Sequence, residues 1–221
     1  MYIIFPIIAV TLTNFFGINI LHSYYKNRIN LIHEYNEIQF TIILFNSINW
    51  MIYGVMSKDI FLYVANIFTL YSSFGFIQIL YKNIKLQKII YIEITTTLFL
   101  IYIITIIFII NFTNVSRNLL VNITGTACTI SSILSYFSPI LIIKKVIETK
   151  DNTLIYLPQI LIGLINLSCW LYYGIIINDI YQILTDSLSL CICIIQIIIY
   201  TINFLRNNLS IDETHVSSAS C

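Results

Sequence analysis

Apolar residues come in long blocks along this chain, parted by short polar breaks. The breaks read SYYKNRINLIHEYNE, SKD, YKNIKLQK, NFTNVSRN, KKVIETKDNT and ND. Between them lie seven apolar stretches, roughly 2–23, 39–56, 60–81, 89–111, 118–143, 155–177 and 180–205. A helix needs about 20 mostly apolar residues to cross the hydrocarbon of a bilayer. In lipid each backbone N–H and C=O must pair within its own segment, so each stretch is predicted to be a transmembrane helix. Composition agrees. The chain is 58% hydrophobic and 10% charged, where a soluble domain carries about 25% charge. The first residues lack a basic n-region and a small-residue cleavage site, and read as a membrane helix rather than a signal peptide.

Two of the blocks are alike. NSINWMIYGVMSKDI (46–60) and NLSCWLYYGIIINDI (166–180) agree without gaps at six of fifteen positions. The matches are Asn46 with Asn166, Trp50 with Trp170, Tyr53 with Tyr173, Gly54 with Gly174, Asp59 with Asp179 and Ile60 with Ile180. The chain holds two Trp, and both fall at the same repeat position. The offset of 120 residues is too long for a solenoid unit and corresponds to a group of helices. Spans 1–3 then form one unit, spans 5–7 the other, and span 4 is left between them. One extra helix gives both units the same orientation, which predicts parallel repeats, a transporter signature with the substrate site near the midplane. The expected fold is an all-α membrane protein of seven transmembrane helices in a 3+1+3 layout. Its parts are a first three-helix repeat (1–88), a linker helix (89–111), a second three-helix repeat (112–205) and a polar, disordered cytosolic tail (206–221).

Charge orients the chain. One set of breaks, with the tail, holds Lys26, Arg28, Lys82, Lys85, Lys88, Lys144, Lys145, Lys150 and Arg206; the other holds only Lys58 and Arg117. Positive residues stay in the cytosol, so the N-terminus is expected outside or in a lumen and the C-terminus in the cytosol, in a plasma membrane or an endomembrane. The sequons at Asn111 and Asn114 then fall outside. A net charge of +1 argues against a nucleic-acid partner. The five cysteines have neither zinc-ligand spacing nor a disulfide framework. His22, His33 and His215 have no partner for nucleophilic catalysis, and no phosphate loop, HExxH motif or hydrolytic carboxylate pair is present. An enzyme, a cofactor and a bound metal are not expected. The expected surroundings are a lipid bilayer and a small solute, and a homo-oligomer is compatible with the sequence.

YFSPILIIKKVIETK (136–150) followed by CWLYYGIIINDI (169–180) resembles the second repeat of the SWEET (MtN3/saliva) family. The resemblance covers most of 1–205 and shares the 3+1+3 layout. It implies a passive, bidirectional carrier of mono- or disaccharides working by alternating access, with a hexose such as glucose as the expected substrate. Asn66 and, 120 residues on, Asp186 resemble the family's Asn pair that holds sugar hydroxyls. An amide suits that task because it both donates and accepts. Trp170 and Trp50 offer flat apolar faces for a sugar ring, the other reading being packing or an interfacial belt. The family often has a small residue where Trp50 stands.

Asp186 departs from the pattern, and a carboxylate at mid-membrane is a functional candidate by default. Three roles are open to it: an ionised acceptor of sugar hydroxyls, a protonated substitute for the amide, or a proton-coupling group. By resemblance, Tyr53, Lys58, Tyr173 and Asp179 match an external gate. A Lys58–Asp179 pair would close the outer mouth, and an exposed pair of about 0–1 kcal/mol breaks easily in each cycle. Ordinary polar punctuation of a short loop is the other reading. Pro139 and Pro158 match two of the family's four hinge prolines. The first repeat has none, with Leu21 or His22 and Gln39 to Thr41 near the missing positions. The rival reading is a PQ-loop-like carrier of amino acids or cationic metabolites, proton-coupled through Asp186. A cargo receptor of this architecture would need basic residues inside the spans, and they lie in the breaks and tail.

Overall fold

Polar residues share the inside of this molecule with an apolar core, and its outside is rich in isoleucine, as lipid allows. Ser47, Asn49, Thr124, Ser131, Ser132, Gln182 and Thr185 are buried, while Ile175, Ile180, Ile194, Ile195, Ile198 and Ile202 are exposed. Hydrocarbon solvates exposed Ile as well as a protein core does, so helix association rests on close packing and on polar contacts between helices. In the computed structural model, residues 3–13, 37–81, 93, 97, 100–101, 103–105, 109, 115–155 and 157–219 are described.

Among the described residues the chain is all-α. The helices are α1 (Ile4–Thr13), α2 (Glu37–Ser57), α3 (Ile60–Tyr81), α4 (Arg117–Ser135), α5 (Phe137–Thr149), α6 (Leu157–Ile177) and α7 (Ile180–Ala219). The described residues between 93 and 109 are helical too and belong to the linker. The fold is the 3+1+3 arrangement: α1 to α3, the linker, then α4–α5, α6 and α7. By length and composition, Arg117–Thr149, Leu157–Ile177 and Ile180–Arg206 can each cross a membrane. Leu21, His22, His33, the sequons and Cys221 lie outside the described residues.

The expected span 118–143 is two helices, broken at Tyr136. Pro139 is the cause. It has no N–H for the carbonyl of Ser135, and its ring crowds that carbonyl. Tyr136 instead ends α4, its N–H donating to the carbonyls of Ile133 and Leu134. Pro158 acts differently. It stands in the first turn of α6, where no helical partner for its missing N–H exists, so it starts a helix and does not kink one. A second departure is at the chain end. Residues 206–219, expected as a disordered tail, continue α7 as helix to Ala219. Between Ile180 and Ala219 there is no Gly or Pro to stop it, and a helix already nucleated by an apolar span extends at little cost per residue.

Both hairpins of consecutive helices use one turn design. α2 joins α3 through Lys58-Asp59, and α6 joins α7 through Asn178-Asp179. Lys58 (φ 65) and Asn178 (φ 55) take the left-handed conformation. The next N–H reaches back to the glycine carbonyl, Asp59 to Gly54 at 2.8 Å and Asp179 to Gly174 at 2.9 Å. Lys58 N–H and Asn178 N–H bond Val55 and Ile175. This is a Schellman stop. Each aspartate then caps the following helix. Asp59 Oδ1 accepts from Phe61 and Leu62 N–H at 2.9 and 3.2 Å. Asp179 Oδ1 accepts from Tyr181 and Gln182 N–H at 3.0 and 3.1 Å. The stop needs a left-handed residue, the cap needs a carboxylate, and the sequence repeat supplies both at one offset.

Packing crosses the repeats. α2 lies on α3 and on α4, and α6 lies on α7. In turn α6 meets α1, where Asn166 Nδ2 donates to Thr13 Oγ1 at 3.2 Å and Phe5 packs on Tyr172. Each second helix of a unit therefore leans on the first helix of the other.

Candidate functional site

The two hairpin aspartates have one oxygen left after capping, and each uses it on the other repeat. Tyr53 O–H donates to Asp179 Oδ2 at 2.8 Å, and Tyr173 O–H donates to Asp59 Oδ2 at 2.8 Å. The two bonds are repeat-related and crossed, so neither hairpin can move away without breaking both. Around them the rings interlock edge to face, Tyr53 with Tyr181 and Phe61 with Tyr173. Above them lies a cavity of about 380 Å³ lined by Tyr53, Ser57, Lys58, Asp59, Tyr173 and Asp179, together with Ile177 and Asn178. Arg117 adds a further tie at this end, donating through Nε and Nη2 to the Met56 carbonyl at the end of α2.

The expected Lys58–Asp179 pair is not formed. Lys58 is exposed and has no ion pair within 4 Å of a described carboxylate; Tyr53 occupies the Asp179 oxygen instead. The reason is local. Lys58 is the left-handed residue of the helix stop, which turns its side chain to the mouth, while Tyr53 stands one turn lower and faces the other hairpin. Left-handed backbone costs a residue with a Cβ roughly 1–2 kcal/mol, and asparagine tolerates it better. Lys58→Asn, which copies the second repeat, is therefore expected to raise thermal stability by about 1 kcal/mol and to leave mouth closure intact. Loss of closure in that variant would restore the lysine to the gate.

Below the mouth the tryptophans join one core. Trp50, Tyr53, Trp170 and Tyr173 are buried together with Ala9, Leu62, Ala65 and Cys128. Trp170 meets Tyr173 edge to face at 6.1 Å, and Trp50 meets Tyr53 at 5.7 Å. Trp50 is also tied across the repeats. Its Nε1 donates to Ser132 Oγ at 3.0 Å, and Ser132 and Ser131 both donate to Asn46 Oδ1, at 3.0 and 2.7 Å. Sequence reasoning missed Ser131, Ser132 and Asn46. The last was legible as the mate of Asn166, because both amides bridge to the first helix of the opposite unit.

Asn66 and Asp186 are each half-buried, on α3 and α7. No hydrogen bond joins them. Asn66 Nδ2 donates to the Leu62 carbonyl at 2.8 Å within its own helix, which leaves its oxygen to accept. Asp186 Oδ2 is enclosed and has no partner. One turn back, Gln182 is buried, with Nε2 donating to the Trp170 carbonyl at 2.9 Å and Oε1 unpartnered. Tyr136, at the break made by Pro139, donates to the Thr185 carbonyl at 2.7 Å and accepts from Ser189 Oγ at 2.7 Å. The break thus holds the helix carrying Asp186. The mouth cavity touches none of Asn66, Asp186, Trp50 or Trp170. No cluster of three His, Cys, Asp or Glu suited to a metal occurs among the described residues.

Comparison with known proteins agrees with the fold. The family described as a sugar efflux transporter for intercellular exchange (MtN3/saliva) matches residues 122–207. The bidirectional sugar transporter SWEET10 of Arabidopsis thaliana is 26% identical over 181 residues, which are 76% of this chain and 58% of that protein. SWEET7b of Oryza sativa subsp. japonica is 31% identical over 84 residues, 37% of this chain and 31% of that one. The aligned chain thus spans well under two thirds of these relatives' length. A eukaryotic SWEET transporter solved at 3.7 Å resolution superposes with a TM-score of 0.78 at 15% identity, over 91% of this chain and 98% of that one. The chain is thus similar in fold to a SWEET transporter over nearly its whole length, and similar in sequence to the MtN3/saliva family most clearly in its second repeat.

Proposed function

We propose that this protein is a facilitative, bidirectional sugar carrier that works by alternating access, with a hexose such as glucose as substrate. The observation that carries the reading is the crossed pair of Tyr–Asp bonds closing one end between two repeats. Such bonds hold a closed state yet exchange for water when the repeats part. The relatives' bidirectional sugar transport supports the substrate class. The distribution of Lys and Arg supports an outward-facing mouth at Asp59 and Asp179. Asn66, Asp186 and Trp170 hold the sugar, with Trp50 narrowing the site. The break at Pro139 gives α4 and α5 separate freedom and serves as the hinge, with Pro158 at the head of α6.

Radiolabelled glucose exchange in proteoliposomes tests the reading. Saturable exchange is expected in both directions. Asn66→Leu leaves a stable protein, because the Asn66 amide N–H bonds only its own helix. Losing the oxygen removes one hydrogen bond of about 0.5–1.5 kcal/mol, so KM for glucose rises roughly two- to tenfold. A folded protein that exchanges no hexose overturns the hexose reading; an Asn66→Leu variant with unchanged KM removes Asn66 from the site.

A further inference from the structure

We propose that Asp186 is a proton-binding site whose proton the carrier requires, so that sugar exchange falls as pH rises. The proposal rests on the carrier reading and adds a protonation step to it. The argument is a count of donors and acceptors. On two successive turns of α7, Gln182 Oε1 and Asp186 Oδ2 are enclosed acceptors that receive no hydrogen bond. The Gln182 amide also reaches the Asp186 carboxyl, though not Oδ2, and the other donors nearby are already placed. Gln182 Nε2 serves the Trp170 carbonyl, Tyr136 O–H serves the Thr185 carbonyl, and Ser189 and Thr185 hydroxyls serve Tyr136 and the carbonyls of their own helix.

Among the described residues no cation compensates. Helix α6 carries no charge. The charged groups of the other helices packed on α7, Arg117, Lys144, Lys145 and Glu148, are exposed. Among the described residues, the titratable groups within electrostatic reach of the carboxyl are Asp179, which caps α7 two turns back, and the phenol of Tyr136. Neither supplies positive charge. A carboxylate with one oxygen enclosed and unpartnered, and no described cation beside it, is unfavourable in an apolar setting, and the usual remedy is to neutralise the charge. One proton from water does so and makes a donor from an acceptor. A protonated carboxyl then both donates and accepts, as the family's amide does at this place. Removing the proton returns a bare carboxylate to the site and leaves the empty cycle and sugar binding unsupported.

Two measurements test this on the full chain in proteoliposomes at equal pH on both sides. Glucose exchange by the wild type is expected to fall with rising pH, by roughly tenfold per unit beyond the midpoint, while Asp186→Asn exchanges sugar at a rate independent of pH. In parallel, the infrared C=O stretch of a protonated carboxyl is expected in the wild type, vanishing over the same pH range and absent from Asp186→Asn. A wild type whose exchange ignores pH, or a variant that keeps the wild-type pH profile, overturns the proposal. If the variant does not fold, the infrared titration of the wild type decides, and no protonated carboxyl at any pH that supports exchange overturns it. A protonated Asp186 in a protein that exchanges no sugar leaves the proton site standing and sinks the carrier reading instead.

Discussion

Gly54→Ala is expected to destabilise the protein by about 3 kcal/mol, the upper end of what overpacking costs, whereas the repeat-related Gly174→Ala is nearly neutral. A Cβ at Gly54 would stand 2.8 Å from the Tyr63 nitrogen, 3.1 Å from the Asp59 carbonyl oxygen and 3.2 Å from the Tyr63 Cα. All three are backbone atoms, one in the connection to α3 and two in the first turn of α3 itself. That connection is held by the helix stop at Lys58 and the cap at Asp59, so it cannot move without losing both. At Gly174 the nearest atoms are the Cγ, Cδ and Cβ of Gln182, at 3.2 to 3.4 Å. A side chain gives by a few tenths of an ångström, and alanine recovers about 0.5–1 kcal/mol of helix propensity. The opposite responses of two matched glycines are read from thermal unfolding in detergent. Equal loss at both sites would mean that the hairpins are not held by the stop-and-cap turn.

Much of this fold was legible because lipid enforces it. An apolar block long enough to span must be helix, and α3, expected at 60–81, runs Ile60–Tyr81. The break at Tyr136 was half legible, since Pro139 was read as a hinge but not as dividing one span into two helices. The end of α7 was misread because a polar composition says little about a segment joined to an existing helix. At the mouth, the repeat pointed to Tyr53, Tyr173 and Asp179, and it also matched Asp59, which the expected gate omitted. Spacing along a chain shows which positions are equivalent. It does not show which side chain an oxygen will meet across the repeats, and by formal charge alone Lys58 was the natural partner for Asp179. In the structure Tyr53 takes the Asp179 oxygen, and Lys58, left-handed at the helix stop, stays exposed at the mouth. The Asn46–Ser132–Trp50 chain was hidden for the same reason, being a contact between α2 and α4 that local pattern cannot encode.

Tyr53→Phe with Tyr173→Phe is expected to open the mouth. Each substitution removes one hydroxyl and keeps the ring, so the edge-to-face packing with Tyr181 and Phe61 survives. Each aspartate keeps its capping bonds through Oδ1, so the hairpins stay folded. What is lost is a hydrogen bond to a carboxylate, worth about 1.5–3 kcal/mol. The lower figure applies, because the mouth cavity lets water replace the phenol. At roughly 1.5 kcal/mol each variant shifts the closed-to-open ratio about tenfold, and the double variant about a hundredfold if the two bonds are independent. The bonds are related by the repeat and join the same two hairpins, so the second loss is expected to cost less than the first. Spin labels at exposed Val55 and Ile175, with the native cysteines replaced, report the separation of the hairpins. The single variants should populate a longer distance in part and the double variant should populate it predominantly. Asp59→Ala and Asp179→Ala should go further and lower stability as well, because each also strips two N–H partners from a helix start. If the distance distribution of the double variant matches the wild type, closure rests on the Arg117 tie and on packing, and the crossed Tyr–Asp bonds are bystanders.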